Sequence, residues 1–463
     1  MTRPGTEAAQ LQAWSARQRL SALKRIIPER QVTAALRRTG HAGTFCPRVG
    51  DEFMVWFVIA LGLFCRDCYR QVFRWLLPWG RHAVPGRSTL CQARQRLGVA
   101  PLVQLAPRVV GLLAGPHTPG AFYRGMRLMA LDGFVVDLPD TPAHDAVFGR
   151  PGSGRAPAAF PQARVLGLVE VGTHVFWRWL IKPCRCAETA MTPPLLKRLE
   201  PGMLLMWDRN FLTYAHVQAT RARGTHLLAR IKKNLVFRPI RRLDDGSYLA
   251  RLYPSAKDRD HDRGGIPVRI IEYTFDDPGR SGAGEPHRLL TTLLDERLDP
   301  AVALVELYHG RWEEELSIDE LKTHQMERPV LRSQTPAGVV QEIYGLMLAH
   351  YVVRTLMCEA AQTVPISPLR VSFTGTLKIL RCRLPECPHG DRGRRRWWEN
   401  LVQEVAQETI PPRRDRVNPR VIKRKMSNWL KKRSQHYHWP QPTKRFRESV
   451  VMLRCTVLRL ARR

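Results

Sequence analysis

The sequence predicts an α/β protein: a strand-rich core interrupted by a β-rich insertion, with a helical N-terminal domain before it and a basic C-terminal region after it. Three observations carry this expectation. Apolar residues recur at helical spacing from Leu11 to about Leu113. From Met126 the pattern changes to alternating and continuous apolar runs of strand length. A second run of strands, cut by Asp-Gly and Gly-Gly turns, then separates that core from a helix carrying Tyr308, Glu315 and Lys322.

The N-terminal helices are read from Leu20, Leu23, Ile26 and Ile27, and again from Val55, Val58, Ile59 and Leu63. The longest apolar run, Phe53 to Phe64, is shorter than the about 20 residues a bilayer span needs, and reads as a buried core helix. Pro85-Gly86-Arg87-Ser88 breaks the chain, and Thr89-Leu-Cys-Gln92 is a possible capping box for a short helix displaying Arg94 and Arg96. That pattern suits a DNA-contacting helix-turn-helix and equally a solvated basic face.

In the core, Arg127 to Leu131 predicts a strand ending at Asp132-Gly133, and Phe134 to Leu138 a further alternating stretch before the turn Pro139-Asp140-Thr141. A Gly-, Pro- and Ala-rich loop spans Gly149 to Pro161. Val165–Val171 and Val175–Ile181 flank Gly172-Thr173-His174 as a hairpin. After a helix over Ala187 to Leu199, Met203 to Trp207 is a short apolar strand terminating at Asp208. Three strands in meander, a helix and another strand resemble an RNase H-like core. Next come a helix over Phe211 to Arg223 and a strand over His226 to Ile231. The insertion is then read from Leu235–Phe237, Tyr248–Leu252, Ile266–Phe275 and Arg288–Leu294, with helix resuming at Gln341 to Cys358. The expected division is 1–120, helical and DNA-binding; 121–224, core, first part; 225–300, β-strand insertion; 301–360, core, second part; and 361–463, basic DNA-binding and dimerisation region.

Charge narrows the partner. Lys plus Arg number 74 against 41 Asp plus Glu, a net charge of +33, so a polyanion is the default partner and nucleic acid fits better than a membrane. Between Pro411 and Arg445 there are 12 Lys or Arg against Asp415 alone, with Trp429, Tyr437 and Trp439 interleaved. Basic groups position a chain on phosphates and aromatics stack on bases; the alternative is a disordered basic tail. A polar, Arg-containing N-terminus and ten cysteines without paired zinc-ribbon spacing fit a cytoplasmic chain with reduced thiols.

Tyr308, Arg311, Glu315 and Lys322 fall within an arc of roughly 60° on a single helix, whereas Glu313 and Glu314 point elsewhere. A carboxylate flanked by an aromatic hydroxyl and two cations suits a divalent cation among DNA phosphates; an amphipathic surface helix with ordinary ion pairs gives the same wheel, and Asp319 lies near the same arc. Asp132 and Asp208, each expected at a strand end, supply two further carboxylates, although Asp is common at strand ends as a turn former. Converging at one edge of the sheet, the three would hold two divalent cations about 4 Å apart, Mg²⁺ or Mn²⁺ rather than zinc.

The interval Tyr308-x2-Arg311-x3-Glu315-x6-Lys322 matches the YREK signature of the insertion sequence 4 family of DDE transposases, which this chain resembles. Leu131-Asp132-Gly133 with Pro139-Asp140-Thr141 is similar to that family's first catalytic block, and Leu205-Met-Trp-Asp208-Arg209-Asn-Phe211 to its second. The likeness extends to Phe57–Leu76 and to the ending Asn418–Ser427. It implies a catalytic triad of Asp132, Asp208 and Glu315, also the metal ligands, on an RNase H-like fold, with Tyr308, Arg311 and Lys322 holding DNA phosphates. It further implies cut-and-paste transposition: binding of terminal inverted repeats, strand hydrolysis, transfer of the freed 3′-hydroxyl, a hairpin intermediate with a flipped base, a homodimer in the synaptic complex, and a bacterial, nucleoid-associated location. Trp312 is one candidate for stacking on that base, though its expected role is helix packing. Three departures touch the surroundings of the triad: Phe134 where the family has Thr, Asn210 in place of Gly, and His144 or Asp145 where Asn often comes after Pro-Asp-Thr. The rival readings are an RNase H-like nuclease that cuts without joining and a catalytically inactive DNA-binding repressor.

Overall fold

A computed structural model describes residues 19–41, 49–76, 84–153, 156–232, 234–280, 282–310, 312–388, 390–411 and 442–453, with the side chains of 19–21, 153, 156–157 and 312–315 outside that description. Arg311 and the basic, aromatic stretch 412–441 therefore lie outside the described residues. The chain forms two compact units, one from residues up to Arg198 together with Glu313–Ile410, the other from Leu199–Trp312 with the C-terminal residues.

The first unit begins with helices. After a 3-10 turn at Arg19–Arg25, α1 (Glu29–Arg38) turns Val32, Ala35 and Leu36 inward. Helix α2 (Asp51–Leu63) starts with two acidic residues at its dipole's positive end and is otherwise apolar all round, so it is a central helix with a single residue, Glu52, outside the buried set. Helices α3 (Tyr69–Leu76) and α4 (Arg87–Leu97) pack against it, and α5 (Ala100–Val109) packs against α1. The expected capping box at Thr89 does not form. Extended Gly86 (φ −62°, ψ 156°) caps and launches α4 three residues earlier and leaves Thr89 inside the helix. Arg94 is not displayed either: it is buried, donating to the Tyr69 hydroxyl and, at 2.5 Å, to Gly338 O.

The strand layer of this unit holds β1 (Phe122–Tyr123), β2 (Met126–Asp137), the short ribbon β3 (Gly152–Ser153) and β4 (Ala156–Pro157), β5 (Gln162–Glu170) and β6 (Val175–Pro183). Helix α6 (Pro142–Phe148) comes after β2, capped by the Thr141 hydroxyl, and α7 (Glu188–Leu196) after β6. Strands β6, β5 and β2 form the expected antiparallel meander. The expected break at Asp132-Gly133 is absent, since β2 runs through it in register, Asp132 opposite Gly167 and Gly133 opposite Leu166. Asp132 is thus mid-strand rather than terminal. A Cβ on Gly133 would stand 2.8 Å from Glu188 Oε1, the movable end of a side chain, and 3.2 Å from Val165 O.

In the second unit β7 (Met203–Trp207) leads through a 3-10 turn at Arg209–Phe211 to α8 (Tyr214–Arg221), and β8 (His226–Arg230) lies parallel to β7. Strands β9 (Arg241–Arg242), β10 (Tyr248–Leu252), β11 (Ile266–Phe275) and β12 (His287–Thr291), with the short α9 (Ala256–Asp260), extend the sheet in the order β7-β8-β12-β11-β10-β9. No strand forms at Leu235–Phe237. The Arg288 guanidinium takes the carbonyls of Lys232 and Leu235 in place of a neighbouring strand. Helix α10 (Ala301–His309) closes the segment.

The chain then forms α11 (Trp312–Asp319) and a π-helical stretch, Glu320–Gln325, before the 28-residue α12 (Pro336–Thr363), α13 (Phe373–Arg383) and α14 (Asp391–Ala406). Helix α12 packs across α2 so closely that a Cβ on Gly62 would meet Gly345 O at 2.3 Å, and one on Gly345 would meet Val58 O at 2.3 Å. No helix among the described residues is long and apolar enough to cross a membrane. Finally, α15 (Phe446–Ser449) and β13 (Val450–Met452) return to the second unit's sheet, where β13 pairs with Tyr273–Phe275 of β11. Thr443 and Lys444 backbone N–H groups donate to the buried Asp277 carboxylate, and Phe446 stacks on His309 at 3.8 Å.

Candidate active site

The continuous helix expected over Tyr308 to Lys322 is three pieces. Tyr308 sits in α10, Glu315 in α11, and Lys322 in the π stretch, which winds wider than an α-helix and rotates its own residues and those beyond it around the axis. Lys322 thus departs from α-helical spacing, while Arg311 and the Glu315 side chain lie outside the described residues. Tyr308 is buried, and its hydroxyl donates to Trp207 O at 3.2 Å, tying α10 to the residue that precedes Asp208. Lys322 is half-buried.

Asp208 does lie at a strand end. It succeeds β7 directly in extended conformation (φ −78°, ψ 164°), where its carbonyl accepts from Phe211 N at 3.1 Å. Its carboxylate is half-buried and has no hydrogen bond or ion pair among the described residues. Asp132 is also half-buried, its Oδ1 accepting the Gly133 N–H at 2.8 Å. Glu188, beside Gly133, faces the other side of the strand layer from Asp132 by alternation and pairs with Arg164 at 2.6 Å. Asp319 is engaged by Thr323 Oγ1 at 2.6 Å and lies 3.3 Å from His324 Nε2, which separates it from the role open to Glu315.

Glu320, which the wheel did not single out, is the centre of a buried charge cluster. Arg354 donates Nη2 to Oε1 and Nε to Oε2, the latter at 3.0 Å; His174 Nδ1 lies 3.0 Å from Oε1 and His350 Nε2 3.3 Å from Oε2. Burial would raise the Glu320 pKa, but the Arg354 and His174 charges and the histidine hydrogen bonds hold it well below the usual carboxylate range. Burial pushes His350 down from its ordinary value. The cluster joins the β5–β6 turn, where His174 takes a left-handed φ of 56°, to the π stretch and α12. Its signal in the sequence was His350 and Arg354, an ionisable i, i+4 pair in the apolar middle of that helix.

Residues 123–352 match the family model described as Transposase DDE domain, and residues 17–106 that described as Insertion element 4 transposase N-terminal. The chain belongs to the insertion sequence 4 family of DDE transposases. It is 27% identical over 423 residues to the transposase InsG for insertion sequence element IS4 of Escherichia coli (strain K12), covering 88% of this chain and 93% of that protein. It is 27% identical over 126 residues to the putative transposase InsZ of the same organism, 27% of this chain and 42% of that protein. Among solved structures, the piggyBac transposase synaptic complex with hairpin DNA is similar at a TM-score of 0.43 and 11% identity, over 86% of this chain and 87% of that chain; likeness at that level carries no argument here.

The protein is thus a DNA transposase with a DDE domain. A DDE domain goes with divalent-metal dependence, and the donor chemistry fits: Asp132 and Asp208 offer hard carboxylate oxygens. Among the described residues no three His, Cys, Asp or Glu side chains group as metal ligands, and the Glu315 side chain lies outside them.

Proposed function

We propose that this transposase performs cut-and-paste transposition of an insertion sequence, with Asp132, Asp208 and Glu315 as the triad that holds two Mg²⁺ ions, Mn²⁺ substituting. The observation that carries the reading is Asp208: a half-buried carboxylate at a strand end, with no partner among the described residues, inside the segment that matches the DDE domain. Bound there, the ions supply Lewis-acid activation of the attacking oxygen and of the leaving 3′-oxygen. The Tyr308 hydroxyl steadies the end of β7 through Trp207 O, while Arg311 and Lys322 hold the flanking phosphates. Residues 1–120 and 361–463 bind the terminal inverted repeats, 121–224 with 301–360 form the catalytic core, and 225–300 is the insertion. Two protomers bring two ends together on the bacterial nucleoid, and a hairpin resolves the second strand.

The test is strand joining. Given pre-cleaved ends, target DNA and Mg²⁺, the full chain is expected to yield covalently joined products. Cleavage of intact ends without any joining would assign it to the non-joining nucleases instead, and specific binding with neither reaction to the repressors.

A further inference from the structure

A cleft of about 590 Å³ in the first unit lies between the start of α3, helix α4 and the N-terminus of α12. Five arginines line it, Arg70, Arg87, Arg94, Arg328 and Arg332, against one carboxylate, Asp67, which already accepts the Trp75 indole N–H at 2.7 Å. Arg328 and Arg332 are committed to backbone: Arg328 donates to Arg66 O at 2.7 Å and Arg332 to Asp67 O at 2.8 Å, with Glu342 beside it. Arg70 and Arg87 are exposed and have no hydrogen bond or ion pair among the described residues.

Two independent features point to an anion. The 28-residue α12 opens into the cleft, its first turn capped by the Thr335 hydroxyl, and a helix start concentrates partial positive charge. Arg94 lines the same cleft while only 4% exposed, and its charge has no ion pair among the described residues: Nη1 and Nη2 donate to the neutral Tyr69 hydroxyl and Gly338 O. A buried guanidinium without a counter-charge favours an anion beside it.

We infer that this cleft is a phosphate site that seats the backbone of a DNA strand, with Arg70 and Arg87 closing on the phosphates and Arg94 and the α12 N-terminus forming the floor. The volume exceeds what a lone phosphate requires, and the open rim between two exposed arginines suits a chain that passes through. That DNA is the ligand rests on the transposase function; the site itself rests on the geometry. Free polyphosphate has the same chemistry, so the experiment separates the two.

Binding of a random-sequence duplex to the full chain is measured by fluorescence anisotropy over about 50 to 200 mM salt, for wild type and the Arg70→Gln/Arg87→Gln double variant. Both arginines are exposed, so thermal melting should be unchanged and folding is not at issue. The expected result is a plot of log K against log salt shallower by about 2, with affinity lower on the order of tenfold at 0.1 M salt. A variant that melts and binds as wild type does overturns the inference while leaving the transposase reading in place, whereas a wild type that binds no duplex overturns both. A rise in melting temperature with pyrophosphate, together with undiminished DNA binding by the variant, assigns the cleft to free polyphosphate and likewise overturns it.

Discussion

Arg354→Leu is expected to destabilise the first unit by about 3 to 5 kcal/mol, because it leaves Glu320 ionised and unneutralised in the interior. Glu320 receives two bonds from that guanidinium, and the remaining neighbours, His174 and His350, are a weaker counter-charge; burial itself holds His350 toward its neutral form. Equilibrium urea melts measure the loss. Replacing both partners, Glu320→Leu with Arg354→Leu, should recover much of it, since an apolar pair of similar volume removes the unmet charge. If the single and double variants melt alike, the pair contributes nothing by its coupling and the account of the cluster fails.

The same cluster makes stability fall on acidification. Glu320 is held well below its unfolded value of about 4.3, so its contribution is complete above that pH and is lost as pH drops through the folded value. His350 is pushed below its unfolded value of about 6.5, so the unfolded chain takes up that proton first, and stability declines below about pH 6.5. Both terms have the same sign, and melting measured from neutral to acid pH should show a steady loss beginning near the histidine range.

The second large effect is on chemistry. Glu315→Gln is nearly isosteric but removes the negative charge a divalent cation requires. Several kcal/mol of transition-state stabilisation should go with it, about a thousandfold in strand cleavage, while binding to terminal repeats persists. Glu313→Gln and Glu314→Gln should cut at rates close to wild type. Asp319→Asn should too, since its carboxylate serves Thr323 and His324. Comparable loss from any of these three would mean that the wrong carboxylate has been chosen.

Features whose pattern is local could be read directly from the chain. The continuous apolar run of α2, the hairpin of β5 and β6, and the β7 run ending at Asp208 all arise from side-chain periodicity and fall where expected. Features fixed by distant partners were not legible. Asp132-Gly133 looks like a turn, but pairing with Gly167 and Leu166 of β5, distant in the chain, carries β2 through it. Arg94 looks like a displayed base on a short helix, yet Gly338, far along the chain, accepts its proton. The YREK intervals suggest one straight helix. Its departure into a π stretch coincides with Glu320 being drawn into a buried cluster with residues from the β5–β6 turn and α12, which no local pattern encodes. The signature therefore identified the family, while the path of the backbone beyond Glu315 depended on tertiary contacts.

The claim at the centre is that Asp208 binds the catalytic metal, and a cysteine in its place tests this directly. A thiolate is a poor ligand for Mg²⁺ and a better one for the softer Mn²⁺. The account predicts that Asp208→Cys binds terminal-repeat DNA normally, gives no cleavage with Mg²⁺, and regains cleavage when Mn²⁺ is supplied. Cleavage by Asp208→Cys at the wild-type rate in Mg²⁺ alone would contradict it.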